Sequence, residues 1–361
     1  MVTKAEVLAR AASLRARFEA AGAVPVETPV LQPADLLLDL YGEDIRARAY
    51  VTSDALRGEQ MLRPDFTVPV VQMHMAQGAE PARYTYAGEV FRRQELNEDR
   101  ANEYLQVGYE VFDRADVAGA DAEVFALFSE TLAGLGLRAA TGDIGILTAA
   151  VQGLKTTERR KVALMRHIWR PRRFRALLDR FSGRTPMPES RRVLLEAADP
   201  MTGLTHSGLR TRAEVANRIA ALREDAEAAP ISELEMHGLE ALLSVRETAP
   251  FALEHLRDIA VDLPAITPAL NRLEARIAAM AARGIDTERL DFEASYGRTS
   301  MEYYDGFVFG FYAEFKPDLP PIATGGRYDA LTRRLGGGAE IPAVGGVLRP
   351  GLMLEIEGLA T

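Results

Sequence analysis

Two stretches decide the fold: RYTYAGEVFRR (83–93) and EYLQVGYEVFDR (103–114). Each alternates large apolar or aromatic side chains with polar ones, the period of two expected of a strand with one buried face. The polar segment NEDRAN (97–102) between them suits a turn, so the pair predicts a long antiparallel hairpin. Working outward, ADAEVFALFSETLAGLGL (120–137) returns to helical spacing, and the first twenty-odd residues form a helix. GAVPVETPVLQPADLLL (22–38) reads as an edge or interface strand leading into another helix. Residues 156–263 carry repeated helical patterns. Sheet texture resumes in LDFEAS (290–295), MEYYDGFVFGFYAEF (301–315) and AVGGVLRPGL (343–352), with the glycine-rich ATGGRYDALTRRLGGG (323–338) between the last two. A strand set cannot bury its face without the later strands. The order therefore predicts one α+β domain: a core of 1–155 and 264–361 around a mostly antiparallel sheet, with 156–263 as a helical insertion.

Composition bounds the chemistry. The 361 residues are 47% hydrophobic, enough for a substantial core, and no apolar run approaches the roughly 20 residues of a membrane span. The N-terminus lacks the basic start, apolar block and small-residue site of a leader, so a cytoplasmic location is expected. The absence of cysteine excludes disulfides, thiol catalysis and thiolate zinc sites. Five scattered histidines form no HxxxH or HExxH pair, so no resident metal or other cofactor is expected.

A formal charge of −9 argues against a general polyanion binder. Residues 155–184 nevertheless hold eleven Lys or Arg against Glu158 and Asp179, with Trp169 and Phe174 interleaved. Such a segment suits RNA, a phosphorylated metabolite or an acidic partner, and a solvated helical face accounts for it equally well. GLGLRA (134–139) matches a dinucleotide pattern only formally. A helix precedes it where a strand is required, so it predicts a helix end.

Polar residues in LRPDFT (62–67), FRRQ (91–94) and QVGYE (106–110) fall among strands built for burial. An unsatisfied buried polar group costs about 1 to 3 kcal/mol, so such groups are paired internally or meet a ligand.

LRPDFTVPV, RYTYAGEVFRRQ, EYLQVGYEVF, MEYYDGFVF, GGRYDAL and AVGGV together resemble class II histidyl-tRNA synthetases, in order, at similar spacing and over nearly the whole chain. The resemblance implies the class II aminoacyl-tRNA synthetase-like fold, a six-stranded antiparallel sheet flanked by helices with a helical insertion, and a homodimer formed through the VETPVLQP region. It implies that Asp65, where the family has glutamate, and Thr67 receive the amino group of histidine, with Gln106 in the pocket. Glu110 and Tyr304 match the groups that read the imidazole, and Arg92 matches an α-phosphate ligand. With Tyr303, the implied histidine-binding set is Asp65, Thr67, Arg92, Gln106, Glu110, Tyr303 and Tyr304.

The departures are concentrated on arginines. Thr299 stands where the synthetases carry the arginine that neutralises carboxylate and α-phosphate, with Arg298 one residue out of register. Leu352 or its neighbour replaces the γ-phosphate arginine, with Arg349 again out of register. Gln94 replaces an acid. No catalytic residue is therefore expected, because phosphoryl chemistry depends on positioned positive charge.

No anticodon-binding domain is expected after residue 361. The chain thus resembles the regulatory subunits of ATP phosphoribosyltransferase, synthetase paralogues that accompany a short-form catalytic subunit. This implies a hetero-oligomer, a hetero-octamer, with histidine as feedback effector and no role for tRNA or membrane. The rival readings are a truncated histidine-activating ligase with a non-tRNA acceptor, and an RNA-binding module.

Overall fold

The computed structural model describes residues 2–35, 37, 48–94, 100–202, 208–298 and 303–360. Its strands are β1 (Val24–Pro25), β2 (Leu31–Pro33), β3 (Val51–Asp54), β4 (Gly58–Leu62), β5 (Ala82–Phe91), β6 (Glu103–Phe112), β7 (Arg138–Asp143), β8 (Arg246–Thr248), β9 (Asp291–Glu293), β10 (Phe307–Tyr312), β11 (Ala323–Arg327) and β12 (Ala343–Leu348). The alternation in 83–93 and 103–114 produces the expected hairpin: β5 and β6 pair from Ala82↔Phe112 to Phe91↔Glu103. Residues 97–99 of the expected turn lie outside the described residues.

The main sheet runs β1-β5-β6-β12-β11-β10-β7-β9-β8, and β2-β4-β3 form a small second sheet. The six antiparallel strands implied by the family likeness are the contiguous centre, β5 to β7. They are not the whole sheet: β1 joins β5 in parallel at one edge, while β9 joins β7 in parallel and carries β8 at the other. β8 lies within the expected insertion range yet pairs in the main sheet. The helices Glu158–Arg166, Pro171–Phe181, Glu189–Glu196, Arg212–Glu227 and Glu233–Ser244 precede it.

The pleat sends alternate residues to opposite faces. One face is aromatic. Phe125 and Phe128 of helix Val117–Thr131 each lie with ring centroids 5.6 Å from Phe309, and Phe18 of helix Lys4–Ala20 lies 5.4 Å from Tyr109. A buried charge network pins helix Thr267–Ala282 there. Arg276 donates to Asp121 Oδ2 (3.1 Å) and Asp143 Oδ2 (2.5 Å), and Arg327 donates to Asp121 Oδ1 (2.6 Å). Charges out of water persist only when paired in this way.

One motif proves structural, and the basic segment is partly paired. After helix Val117–Thr131 the chain turns through Gly134 and Gly136, both at positive φ, and enters β7. GLGLRA therefore ends a helix, as its context predicts. In the basic segment, Arg160 donates to Asp225, Arg175 and Arg184 to Glu240, and Arg184 also to Glu233. Much of the local charge is thus answered by acids from later helices, while Arg166, Arg172 and Arg173 stay exposed. Among the described residues no helix is long and apolar enough to cross a membrane.

Candidate functional site

The opposite face of the sheet is paved with glycine. Gly108 on β6 lies level with Val347 on β12 and with Tyr86 on β5; Gly345 is level with Glu110 and with Gly326 on β11. These glycines are required by what lies on them. A Cβ at Gly108 would sit 2.1 Å from the Tyr86 ring, one at Gly345 1.5 Å from Glu110 Oε2, and one at Gly326 2.8 Å from Tyr304.

On this floor stands Glu110, buried. Its Oε1 accepts from Tyr86 (2.8 Å) and from Thr67 Oγ1 (3.2 Å), and its Oε2 accepts from Tyr328 (2.5 Å). Burial pushes its carboxyl up to about 7, against the opposing effect of the three hydroxyls that favour the charge. Beside it Asp65 Oδ1 accepts from the Thr67 backbone N–H at 3.1 Å, and Tyr303 donates to Oδ2 at 3.4 Å. Arg92 lies 3.7 Å from Asp65 and donates Nε to Pro64 O at 2.7 Å. Tyr304 is buried against Tyr303 with ring centroids 4.9 Å apart, and burial near Glu110 holds its phenol well above the usual range.

Gln106 completes the floor between Gly88 and the end of β12. Its side chain is fully buried, and among the described residues neither amide oxygen nor nitrogen has a hydrogen-bond partner. Of the seven residues expected from sequence, Asp65, Thr67, Arg92, Glu110, Tyr303 and Tyr304 are thus joined by a chain of contacts, and Gln106 lies on the same face of β6 as Glu110.

Two further residues of this face, Tyr86 and Tyr328, escaped the sequence reading, and a third, Arg349, was set aside there as out of register. Tyr86 and Tyr328 look like core aromatics by pattern, although Tyr328 lies inside the quoted GGRYDAL. Two other polar residues serve the frame. Arg63 donates to Glu89 O and Thr28 O while stacking over Phe66, and Gln94 bonds the returning strand at Asn102 and Ala101.

Among known proteins, a family model described as histidyl-tRNA synthetase matches residues 3–218 and 212–350. A Brucella ovis protein named ATP phosphoribosyltransferase regulatory subunit is 32% identical over 357 residues, covering 92% of this chain and 93% of that one. One of the same name from Brucella anthropi is 34% identical over 359 residues, with 92% and 93% covered. The chain belongs to this family of regulatory subunits, within the histidyl-tRNA synthetase group.

The fold agrees with that membership. A Bacillus halodurans structure, described as an ATP phosphoribosyltransferase regulatory subunit/histidyl-tRNA synthetase, superimposes with a TM-score of 0.68 at 22% identity, covering 97% of this chain and 79% of that one. Histidyl-tRNA synthetase from a Nostoc species gives 0.63 at 17%, covering 97% and 70%. At these identities the likeness is one of fold.

For a regulatory-subunit chain the positions of the displaced arginines matter most. Thr299 lies outside the described residues. Arg298 turns away from the pocket: its Nε donates to Ile168 O at 2.8 Å and its guanidinium lies 4.8 Å over the Phe174 ring. Arg349, which register alone also sets aside, goes the other way and lies on the pocket face beside Tyr304.

Proposed function

We propose that this chain is the non-catalytic regulatory subunit of a histidine-biosynthetic ATP phosphoribosyltransferase complex in the cytoplasm, and that its pocket holds the effector histidine. Asp65 and Thr67 take the amino group, Glu110 and Tyr304 the imidazole, and Gln106 bonds the ligand backbone, with Arg92 and Tyr303 closing the set. The proposal includes a core of 1–155 and 264–361 with a helical insertion at 156–263, dimerising through its core and joining catalytic subunits in a hetero-oligomer.

The supporting observation is the Gln106 amide. A fully buried amide whose polar atoms both lack a partner among the described residues costs about 1 to 3 kcal/mol per group, a penalty that a polar ligand relieves. It stands four residues from the buried Glu110 carboxylate, on the same face of β6, on a floor kept open by glycine. An α-amino acid bearing an imidazole supplies both donors and acceptors, and a site with two buried polar readers rejects ligands unable to satisfy both.

Calorimetry with histidine tests the reading. Wild type should bind, and Glu110→Ala should bind about 10- to 100-fold more weakly, the loss of a hydrogen bond to a charged group. Equal affinity in the two proteins would remove the imidazole contact. Histidine-dependent exchange of pyrophosphate into ATP should be absent; its presence would favour the ligase reading.

A further inference from the structure

Arg349 directly follows β12 in a position that its register relative to the synthetases does not suggest. Leu348 is level with Val107, and the ladder continues one step further, since Arg349 N donates to Ile322 O at 3.0 Å. Gly345, Val347 and Arg349 therefore share the pocket face, and the next residue in register across β6 is Gln106. The side chain is partly buried. Nη1 donates to Pro321 O (2.5 Å) and Nη2 to Thr324 Oγ1 (3.4 Å). Both acceptors are neutral. Burial lowers the guanidinium's pKa, with the Tyr104 phenol opposing that shift and the Arg92 cation adding to it; Tyr304 and Tyr312 are also near.

This environment lacks one component. A guanidinium has five N–H donors, and a cation withdrawn from water beside a second cation is stable only with an anion near it. Arg160, Arg276 and Arg327 each have a carboxylate, whereas the polar partners of Arg349 among the described residues are a carbonyl and a hydroxyl. Arg349 itself is half-buried, and one step beyond the Leu348–Val107 pair it stands in register with Gln106, whose amide has no hydrogen-bond partner among the described residues.

We propose that Arg349, with Arg92 beside it, is the seat for the carboxylate of the amino acid held in this pocket, performing from β12 the neutralisation that Thr299 cannot. The inference rests on the histidine reading of the same pocket and adds how the ligand's third group is recognised. It also accounts for how the pocket could keep amino-acid affinity after losing the synthetase arginine. A planar fork on a carboxylate is the strong form of such a contact. A phosphate offers similar oxyanion chemistry, so the test must separate the two.

The experiment is titration calorimetry of wild type and Arg349→Met with histidine, with histamine, which lacks the carboxylate, and with inorganic phosphate. Methionine keeps an apolar stem in place. Histidine affinity should fall about 10- to 100-fold in the variant while histamine affinity is unchanged. Arg349→Lys should recover part of the loss. Equal histidine affinity in both proteins overturns the carboxylate seat and leaves the histidine reading standing. An equal fall for histidine and histamine assigns Arg349 a purely structural role and overturns it too. So does phosphate binding that is lost in the variant while histidine binding persists. Wild type that binds no histidine defeats the pocket reading itself, and the seat falls with it.

Discussion

Glu110 is the residue on which charge, burial and the proposed ligand reading meet. Its carboxyl, pushed up to about 7 by burial, lies above the ordinary value of 4.5. Between those limits the folded chain holds a proton that the unfolded chain has released. The stabilisation linked to that proton is therefore complete below about 4.5 and is lost as pH rises through about 7, at up to about 1.4 kcal/mol per pH unit. Asp305, pushed up to about 7 by burial and by nearby Asp329, acts with the same sign. Thermal unfolding across this range should show Tm falling as pH rises, with a shallower fall in Glu110→Gln; identical slopes would mean that Glu110 does not titrate there. Gln106 and Glu110 were legible in the sequence because polar side chains in a strand built for burial demand explanation, and Asp65, which lies between β4 and the helix that begins at Thr67, was legible through its motif. Arg349 was not, because comparison of motifs tests alignment, whereas the pleat of β12 and its last ladder bond decide which face a side chain joins.

At the scale of elements, the hairpin β5–β6 and the glycine floor build the site. The hairpin was legible because ten paired residues give an unmistakable period of two. β1, β8 and β9, of two or three residues each, are too short to show any period and pair through tertiary context. The glycines read as turn or loop signals by type, yet Gly108, Gly326 and Gly345 lie in extended strands where space is what they provide. Gly108→Ala puts a methyl into the Tyr86 ring, and overpacking of this kind costs about 1 to 3 kcal/mol. Urea unfolding should report that loss together with weakened histidine binding, since Tyr86 would leave Glu110. Wild-type stability and affinity would show that the floor tolerates a methyl and does not set the pocket's shape.

At the scale of the whole molecule, the division of labour follows from where the charges lie. The aromatic face locks helices to the sheet through Asp121, Asp143, Arg276 and Arg327, leaving the opposite face free to carry polar groups that fold stability does not require. The basic segment illustrates what sequence alone misjudges: partners such as Asp225 and Glu240 lie more than fifty residues away, so a local excess of charge was visible and its neutralisation was not. A synthetase-like core with buried polar groups on one face and a rearranged set of cations suits the proposed sensing of histidine within an enzyme complex. The most direct test is the ATP phosphoribosyltransferase activity of the catalytic subunit, assayed alone and with this chain, each with and without histidine. The account predicts that the chain raises the activity, that histidine then suppresses it, and that Glu110→Ala still raises it but blunts the suppression. Activity indifferent to the chain, or suppression by histidine of equal strength without it, would contradict the account.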